Sequence, residues 1–239
     1  MALVTGGAKR VGRAVVERLA RLGYHVAFTY RSSEREAEEV EAAVCAMGVD
    51  ALPIRADLTD PAAAAEHIDT TFQTWSAELD VLVNNASAWS PAALADTTPE
   101  LMRTLWAVHA EAPLLLCQRF AGRLRRSRGH VVNMVDLLAE RPWPQYLAYC
   151  ASKAALWNLT LGLARELAPE VTVNGIAPGV VDWPDDYPPA EREKYLRRVP
   201  LARAGTPEDV AGTVEFLVSP GGAYVTGQIL RLDGGRSST

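Results

Sequence analysis

Short apolar segments alternate with longer helical segments along the whole chain, and this alternation restricts the possible folds more than any other feature. The apolar segments lie at 2–5, 25–30, 51–55, 80–84, 130–135, 171–176 and 228–232. The helical segments cover roughly 11–22, 34–47, 61–76, 99–127, 146–168 and 207–218. Strands that are apolar on both faces belong in a parallel sheet with helices on both sides. The sequence therefore predicts an α/β fold, a doubly wound parallel sheet of seven strands.

Nothing in the composition divides the 239 residues into separate parts. A chain of this length fits one large domain or two small ones, but no repeat and no shift of composition marks a boundary. We therefore predict that residues 1–239 form a single domain. The stretch 177–206 is rich in proline and too long for an ordinary connection, which indicates a functional loop over a substrate site.

The charge balance argues against several classes of function. The net charge is −5, which gives no sign of an electrostatic nucleic-acid binder. The basic run at 119–128 is expected to be a solvated helix end rather than a polyanion site. No apolar run reaches the length that spans a bilayer. We therefore expect neither a nucleic-acid nor a membrane partner.

Cysteine and histidine usage indicates a reducing compartment and no bound metal. The three cysteines, Cys45, Cys117 and Cys150, are odd in number and widely spaced, which argues against a disulfide framework. The four histidines lack the spacing of metal ligands. Strand-like residues follow directly after Met1 and leave no room for a signal peptide, so we expect a cytoplasmic protein.

A glycine-rich turn follows the first predicted strand and leads directly into a helix. Its sequence is Thr5-Gly6-Gly7-Ala8-Lys9-Arg10-Val11-Gly12. Glycines let backbone N–H groups approach a phosphate closely, and a helix N-terminus adds positive potential. An ordinary tight turn has the same composition, but the position between the first strand and the first helix favours a dinucleotide site.

The end of the second strand indicates which dinucleotide is bound. A site selective for NAD carries a carboxylate about 20 residues beyond the glycines, whereas this chain has Tyr30-Arg31-Ser32 there. Arg31 and Ser32 suit a 2′-phosphate, which a carboxylate would repel. The sequence predicts NADPH, with a surface role for Arg31 as the alternative.

Tyr149 and Lys153 stand four residues apart, on one face of a predicted helix. An ammonium beside a phenol is expected to lower the pKa of the phenol and to ease proton exchange. Asp136 follows the fifth strand, where open α/β sheets bind ligands, and it is placed to hydrogen-bond the tyrosine and a substrate. The alternatives are a solvated surface pair and an aspartate that only caps a loop.

Together these motifs resemble the short-chain dehydrogenase/reductase family over essentially the whole chain. Further matches are Asp57, Asn84-Asn85-Ala86, Pro178-Gly179 and Asp233-Gly234-Gly235. The resemblance implies a Rossmann-type sheet, hydride transfer from a nicotinamide, Tyr149 as proton donor, Lys153 on the ribose, and a homotetramer. The cofactor-binding residues that follow are Thr5, Gly6, Arg10, Val11, Gly12, Tyr30, Arg31, Ser32, Asp57, Leu58, Asn85, Ala86, Ser87, Tyr149, Lys153, Pro178 and Gly179.

Three departures from the common family pattern resemble the pteridine reductases, and most of all the bacterial dihydromonapterin reductases. Arg10 replaces a glycine, Asp136 replaces the catalytic serine, and Trp89 follows the nicotinamide loop. Trp89 could stack on a pterin ring, Arg10 could bridge phosphate and pterin, and Asp136 could relay a proton to a ring nitrogen. Core packing for Trp89 and a phosphate contact alone for Arg10 remain open. The predicted catalytic residues are Asp136, Tyr149 and Lys153, and the predicted substrate residues are Arg10, Ser87, Trp89, Asp136, Tyr149 and Trp183.

Several residues near the site have no definite sequence-based role. His109 replaces the asparagine that most of the family carries, and it is either part of a proton relay or a hydrogen-bonded core residue. Asp182, Asp185, Asp186 and Tyr187 follow the Pro-Gly loop, and half or more of that loop is expected to face water.

Three functions are consistent with the sequence. The first is NADPH-dependent reduction of a dihydropterin, such as dihydromonapterin or dihydrobiopterin, with dihydrofolate as a further candidate. The second is reduction of a ketone, a 3-oxoacyl thioester or a sugar. The third is a non-catalytic NADP(H) sensor, which would not need both Tyr149 and Lys153.

Overall fold

The computed structural model describes residues 1–183 and 187–238. Seven parallel strands form one sheet in the order β3-β2-β1-β4-β5-β6-β7. They are β1 Ala2–Val4, β2 Val26–Tyr30, β3 Ala51–Arg55, β4 Val81–Asn84, β5 His130–Met134, β6 Thr172–Pro178 and β7 Ile229–Leu232. The strand order reverses between β1 and β4, and such a reversal opens a crevice at the carboxyl ends of the strands.

Helices connect the strands and cover both faces of the sheet. They are α1 Arg10–Arg21, α2 Glu34–Cys45, α3 Pro61–Trp75, α4 Pro99–Trp106, α5 Ala112–Ser127, α6 Leu147–Glu166, α7 Pro189–Leu196 and α8 Pro207–Val218. One apolar core lies between the sheet and α3, α5 and α6. The other lies between the sheet and α1, α2 and α8. The predicted seven-stranded, doubly wound, single-domain fold is confirmed.

Helix starts follow the local chemistry of the sequence. Asp60 and Thr98 accept hydrogen bonds from backbone N–H groups in the first turns of α3 and α4, and proline follows each of them. Thr206 and Asp209 form a reciprocal capping box at α8. Such caps satisfy N–H groups that lack a partner within the helix, which fixes where each helix begins.

The structure corrects two predicted elements. The helix predicted over 99–127 is interrupted by a π-helical turn at Ala107–Glu111, between α4 and α5. Strand β6 runs two residues further than predicted, to Pro178, because it continues to pair with β7. Within the predicted loop 177–206, α7 and a parallel bridge between Val181 and Gly205 provide regular structure. No helix in the described part of the chain is long and apolar enough to cross a membrane.

Candidate active site

A cavity of about 710 Å³ opens at the carboxyl ends of the central strands. Its walls come from the segments that directly follow β1 to β6, as the reversal of strand order predicts. One half is bounded by the glycine turn and the end of β2. The other half is bounded by Asp136, Tyr149 and a series of aromatic rings.

Nearly all the residues predicted for the site line this cavity. Of the predicted cofactor residues, those on the cavity wall are Gly6, Arg10, Val11, Gly12, Tyr30, Arg31, Ser32, Asp57, Leu58, Asn85, Ala86, Ser87, Tyr149, Lys153, Pro178 and Gly179. All six predicted substrate residues line it as well. Thr5 is the exception, because its side chain is buried behind the wall.

The glycine turn is fastened to the end of β4 by a small hydrogen-bond network. Thr5 Oγ1 accepts from the backbone N–H groups of Asn85 and Ala86, at 2.9 and 3.0 Å. The Asn85 amide donates back to the carbonyls of Thr5 and Gly6, at 2.9 and 3.1 Å. A Cβ atom on Gly12 would lie 2.0 Å from the Gly6 carbonyl oxygen, so only glycine fits there. Thr5 therefore shapes the glycine turn through these hydrogen bonds.

The far end of the cavity, at the end of β2, carries the guanidinium of Arg31 and the hydroxyls of Ser32 and Ser33. Arg31 and Ser32 line the wall next to Asp57. Asp57 is held by its own turn, where its carboxylate accepts from Thr59 N and Thr59 Oγ1 at 3.0 and 2.9 Å. These hydrogen bonds outweigh desolvation and, with a smaller contribution from the charge of Arg31, lower the pKa of Asp57. Within the described ranges, Arg31 makes no ion pair with a side chain, so its guanidinium is available to an anion.

The three predicted catalytic side chains come together at the centre of the cavity. Tyr149, in the first turn of α6, donates its hydroxyl proton to Asp136 Oδ2 at 2.7 Å. Asp136 Oδ1 accepts from the Leu138 N–H at 2.7 Å, which fixes the carboxylate two residues beyond β5. Lys153, one turn further along α6, donates to the Met134 carbonyl at 2.8 Å. All three side chains are therefore oriented by hydrogen bonds.

The pKa of Tyr149 is shifted in the direction opposite to the sequence-based expectation. Burial raises the pKa of Tyr149 well above 10, and the neighbouring carboxylate of Asp136 raises it further. Burial also raises the pKa of Asp136, against the hydrogen bonds that it accepts. The Lys153 ammonium lies 5.9 Å from the tyrosine ring centre and bonds a carbonyl instead of the phenol. The phenol is thus held protonated as a hydrogen-bond donor.

Arg10 and Asp182 join opposite sides of the cavity mouth. The Arg10 Nε–H donates to Asp182 Oδ2 at 2.7 Å, linking the glycine turn to the segment after β6. Both residues have left-handed backbone conformations, with φ of 52° and 73°. Such a conformation favours glycine, so a side chain at position 10 is strained there. Asp182, which the sequence left without a role, is therefore the partner of Arg10.

Aromatic side chains form the wall of the chemical half of the cavity. Trp89 is half exposed and stacks on Tyr146, with ring centres 4.4 Å apart and planes at 31°. It also meets Tyr149 edge to face at 4.6 Å. On the opposite side, Trp183 stacks on Tyr187 at 4.8 Å. Asp185 and Asp186 lie outside the described residues.

Sequence reasoning missed three of these rings. Trp143, Tyr146 and Tyr195 all line the cavity. Tyr146 stands three residues before Tyr149, so helical spacing could have placed it on the same face. Tyr195 comes from α7, and no local sequence pattern places it near the site. Its hydroxyl accepts a hydrogen bond from the Val180 N–H at 3.0 Å.

Comparison with known proteins identifies the class that this fold and site define. A family profile described as Enoyl-(Acyl carrier protein) reductase matches residues 6–237. Pteridine reductase 1 of Leishmania tarentolae is 34% identical over all of this chain and 96% of that protein. A Staphylococcus aureus 3-oxoacyl-(acyl-carrier-protein) reductase is also 34% identical, over 98% of this chain and 96% of its own length.

Solved structures agree with these sequence relatives. A short-chain dehydrogenase from Burkholderia cenocepacia, in complex with NADP, superposes with a TM-score of 0.92 and 37% identity, over 99% of this chain and 97% of that chain. The chain belongs to the short-chain dehydrogenase/reductase family, and it is an oxidoreductase of that family.

Proposed function

We propose that the protein reduces a dihydropterin to the tetrahydro form with NADPH. The observation that carries this proposal is the buried carboxylate of Asp136, which accepts a hydrogen bond from Tyr149 inside a cavity walled by aromatic rings. A pterin is a flat ring that suits stacking against Trp89, and its ring nitrogen needs a proton when the adjacent carbon is reduced. The pteridine reductase relative supports the same substrate class.

The residues of the other half fit NADPH. No side chain caps the N-terminus of α1, so its first N–H groups face the glycine turn and are available to a diphosphate. The contact that a Cβ would make at Gly12 shows that the backbone approaches closely there. Arg31 and Ser32 would hold the 2′-phosphate, and Tyr149 and Lys153 would hold the nicotinamide ribose. The Burkholderia structure with NADP and a metagenomic blue fluorescent protein with NADPH support this choice.

The reduction adds a hydride to the carbon and a proton to the nitrogen of one C=N bond. NADPH supplies the hydride when it is bound and becomes NADP⁺. Tyr149 holds the proton on Oη at neutral pH, because burial keeps the phenol from ionising. Asp136 orients this hydroxyl, and its raised pKa lets it take up a proton from solvent and return it to Tyr149 in place of the one given to the ring nitrogen. The positive charge of Lys153 stabilises the negative charge that develops on this pair.

A 3-oxoacyl thioester is the second candidate substrate. The Staphylococcus aureus 3-oxoacyl reductase is as similar to this chain as the pteridine reductase, at 34% identity over nearly the same length. Tyr149 and Lys153 suit protonation of a ketone oxygen equally well. Asp136 opposes this reading, because a carboxylate beside the tyrosine can hold and pass a proton for a ring nitrogen, whereas a hydroxyl at that position would suit a ketone oxygen.

Oxidation of NADPH, followed at 340 nm, tests the two candidates directly. Dihydromonapterin, dihydrobiopterin, dihydrofolate and an acetoacetyl thioester are compared at saturating NADPH. We expect turnover of the pterins, abolished in Tyr149→Phe because the hydroxyl acts in proton transfer, while NADPH binding loses at most one ribose hydrogen bond, about 1 kcal/mol. Turnover of the thioester alone would establish a ketone reductase. Tight NADPH binding without any turnover would favour the sensor.

A further inference from the structure

His109 is completely buried and lies in the π-helical turn between α4 and α5. Both ring nitrogens have hydrogen-bond partners. Nε2 lies 2.9 Å from Ser87 Oγ and 3.1 Å from the backbone nitrogen of Ala88. Nδ1 lies 2.8 Å from Ser152 Oγ. The imidazole thus bridges the segment after β4 to the catalytic helix α6, and π-helical turns are frequent at functional sites.

These partners determine the tautomer of His109. The Ala88 N–H can only donate, so Nε2 must be an acceptor and carries no proton. Nδ1 therefore carries the ring proton and donates it to Ser152 Oγ. The Ser152 hydroxyl in turn donates to the Tyr149 carbonyl at 2.7 Å. Every donor in this series of hydrogen bonds has an acceptor, so all of the bonds run in one direction, from Ala88 N–H to the Tyr149 carbonyl.

Both ends of the chain reach Tyr149. Ser152 bonds the Tyr149 backbone, while Ser87, whose hydroxyl donates to Nε2, lies close to the Tyr149 side chain and opposes the effect of burial on the pKa of Tyr149. The rings of His109 and Tyr149 also meet edge to face, with centres 5.4 Å apart. Two residues after Ser87, Trp89 packs against the Tyr149 ring. His109 thus contacts the segment after β4, helix α6 and the tyrosine ring itself.

We propose that His109 is a positioning residue, which as a neutral Nδ1–H imidazole holds segment 87–89 against α6 and thereby fixes the direction of the Tyr149 hydroxyl. It does not carry the transferred proton. The proposal rests on the proposed function only for the substrate with which turnover is measured.

The electrostatic surroundings of His109 agree with a neutral ring. Burial lowers the pKa of His109 to about 2, and the charge of Lys153 acts in the same direction. Tyr149 stays protonated beside it, and no carboxylate in the described part of the chain bonds the imidazole. A proton relay needs an imidazole that gains and loses a proton near neutral pH. The surroundings of His109 oppose protonation of its ring at that pH.

Two substitutions separate positioning from proton relay. His109→Gln keeps one acceptor and one donor but cannot pass a proton as an imidazole does. His109→Phe keeps the ring and removes all three hydrogen bonds. We expect His109→Gln to retain kcat within about threefold and His109→Phe to lose about 100-fold in kcat, the loss typical of a misplaced catalytic group. NADPH affinity should change little in either, because Arg31 and α1 lie outside the bridge.

Amide hydrogen exchange gives a second readout that needs no turnover. The N–H of Ala88 loses its acceptor in His109→Phe, so exchange in residues 86–89 should become faster while exchange in the later turns of α6 stays the same. His130→Gln is the matched control. That histidine bonds Thr172 Oγ1 at the amino end of β5, away from the carboxyl ends where the cavity opens, and its replacement should leave kcat and the 86–89 exchange unchanged.

Specific results would overturn the proposal. Equal losses of kcat in His109→Gln and His109→Phe would favour the relay. A lower melting temperature in His109→Phe with full kcat per folded molecule would show a role in stability alone. Should His109→Phe not fold, Ser152→Ala removes the Nδ1 partner together with the bond to the Tyr149 carbonyl, and we expect kcat to fall about tenfold. Unchanged kcat in that variant would contradict positioning.

If the protein turns over no dihydropterin, the proposed function fails, and unchanged 86–89 exchange in the variants would still overturn the positioning role.

Discussion

Lys153 is a charged residue that the fold keeps almost entirely out of water. Burial lowers the pKa of Lys153 to about 8, although the Asp136 carboxylate acts in the opposite direction. Among the described residues its hydrogen-bond acceptor is the Met134 carbonyl, to which a neutral amine can still donate. The charge of this side chain can therefore be lost within the range where enzymes are assayed.

This lysine predicts an alkaline limit to activity. Above pH about 8 the ammonium loses its proton, and kcat/KM for the dihydropterin should fall up to tenfold for each pH unit. The free energy of unfolding should change with pH in the direction opposite to kcat/KM. An unfolded lysine keeps its proton up to about 10.4, so between those values the unfolded state binds more protons and the free energy of unfolding contributed by Lys153 rises with pH. The pH profile of kcat/KM from 6 to 10 checks the first effect, and a flat profile would contradict it.

Arg31 is a second residue whose charge has a measurable consequence. Arg31→Asp should weaken NADPH binding by roughly 10–100-fold, because charge-assisted hydrogen bonds to a phosphate are lost and a carboxylate repels it. NADH binding should change far less. Fluorescence titration with each cofactor measures both affinities. Arg35→Asp is the control, since it makes the same charge change on an exposed face of α2. Equal losses for NADPH and NADH would show that Arg31 does not bind the phosphate.

At the scale of secondary-structure elements, the ion pair between Arg10 and Asp182 ties the start of α1 to the segment after β6. Both side chains are substantially exposed, so the pair itself stabilises the fold by at most about 1 kcal/mol. The left-handed backbone at Arg10 costs roughly 1–2 kcal/mol relative to glycine. The two effects nearly cancel, so Arg10 contributes little to stability, and we propose that it serves ligand binding.

Arg10→Gly and Asp182→Asn separate these contributions. Arg10→Gly should leave the melting temperature nearly unchanged while it raises KM for the dihydropterin and weakens NADPH binding, because the guanidinium is gone. Asp182→Asn should keep or improve NADPH affinity, because Arg10 is released from its carboxylate partner. Isothermal titration of both variants with NADPH gives the comparison. The same loss in both would show that Arg10 acts only by holding the segment after β6.

The elements differ in how far the sequence determines them. Strands were predictable from apolar runs, and the starts of α3 and α4 from Asp60-Pro61 and Thr98-Pro99, because these signals are local. The π-helical turn at Ala107–Glu111 was not, since apolar spacing is the same for both helix types over so few residues. The pKa of Tyr149 was predicted in the wrong direction, because spacing reveals the nearby lysine but not the extent of burial. Tyr195 joins the site only through tertiary packing.

At the scale of the whole molecule, exposed apolar side chains lie on helices α4, α5 and α6, outside the active site. Met102 and Trp106 of α4 are 56% and 49% exposed, and Leu114 of α5 and Leu161 of α6 are 41% and 36% exposed. Surface leucines occur singly in most proteins, but several on adjacent long helices indicate a contact surface. Helix α6 also carries Tyr149 and Lys153, so a partner packed on these helices would stiffen the catalytic helix.

We predict that the protein is a homotetramer in which these helices pack against their equivalents in a second copy. Isologous contacts of this kind place each exposed side chain opposite its own symmetry mate or a neighbour, so charges introduced there repel across the interface. Light scattering coupled to size exclusion should give four times 25.9 kDa for the native chain. Leu114→Glu with Leu161→Glu should give a smaller assembly with reduced kcat and intact NADPH binding. Leu22→Glu, an equally exposed position after α1, is the control. A native monomer, or a tetramer unaffected by the paired substitution, would place the contact elsewhere or exclude it.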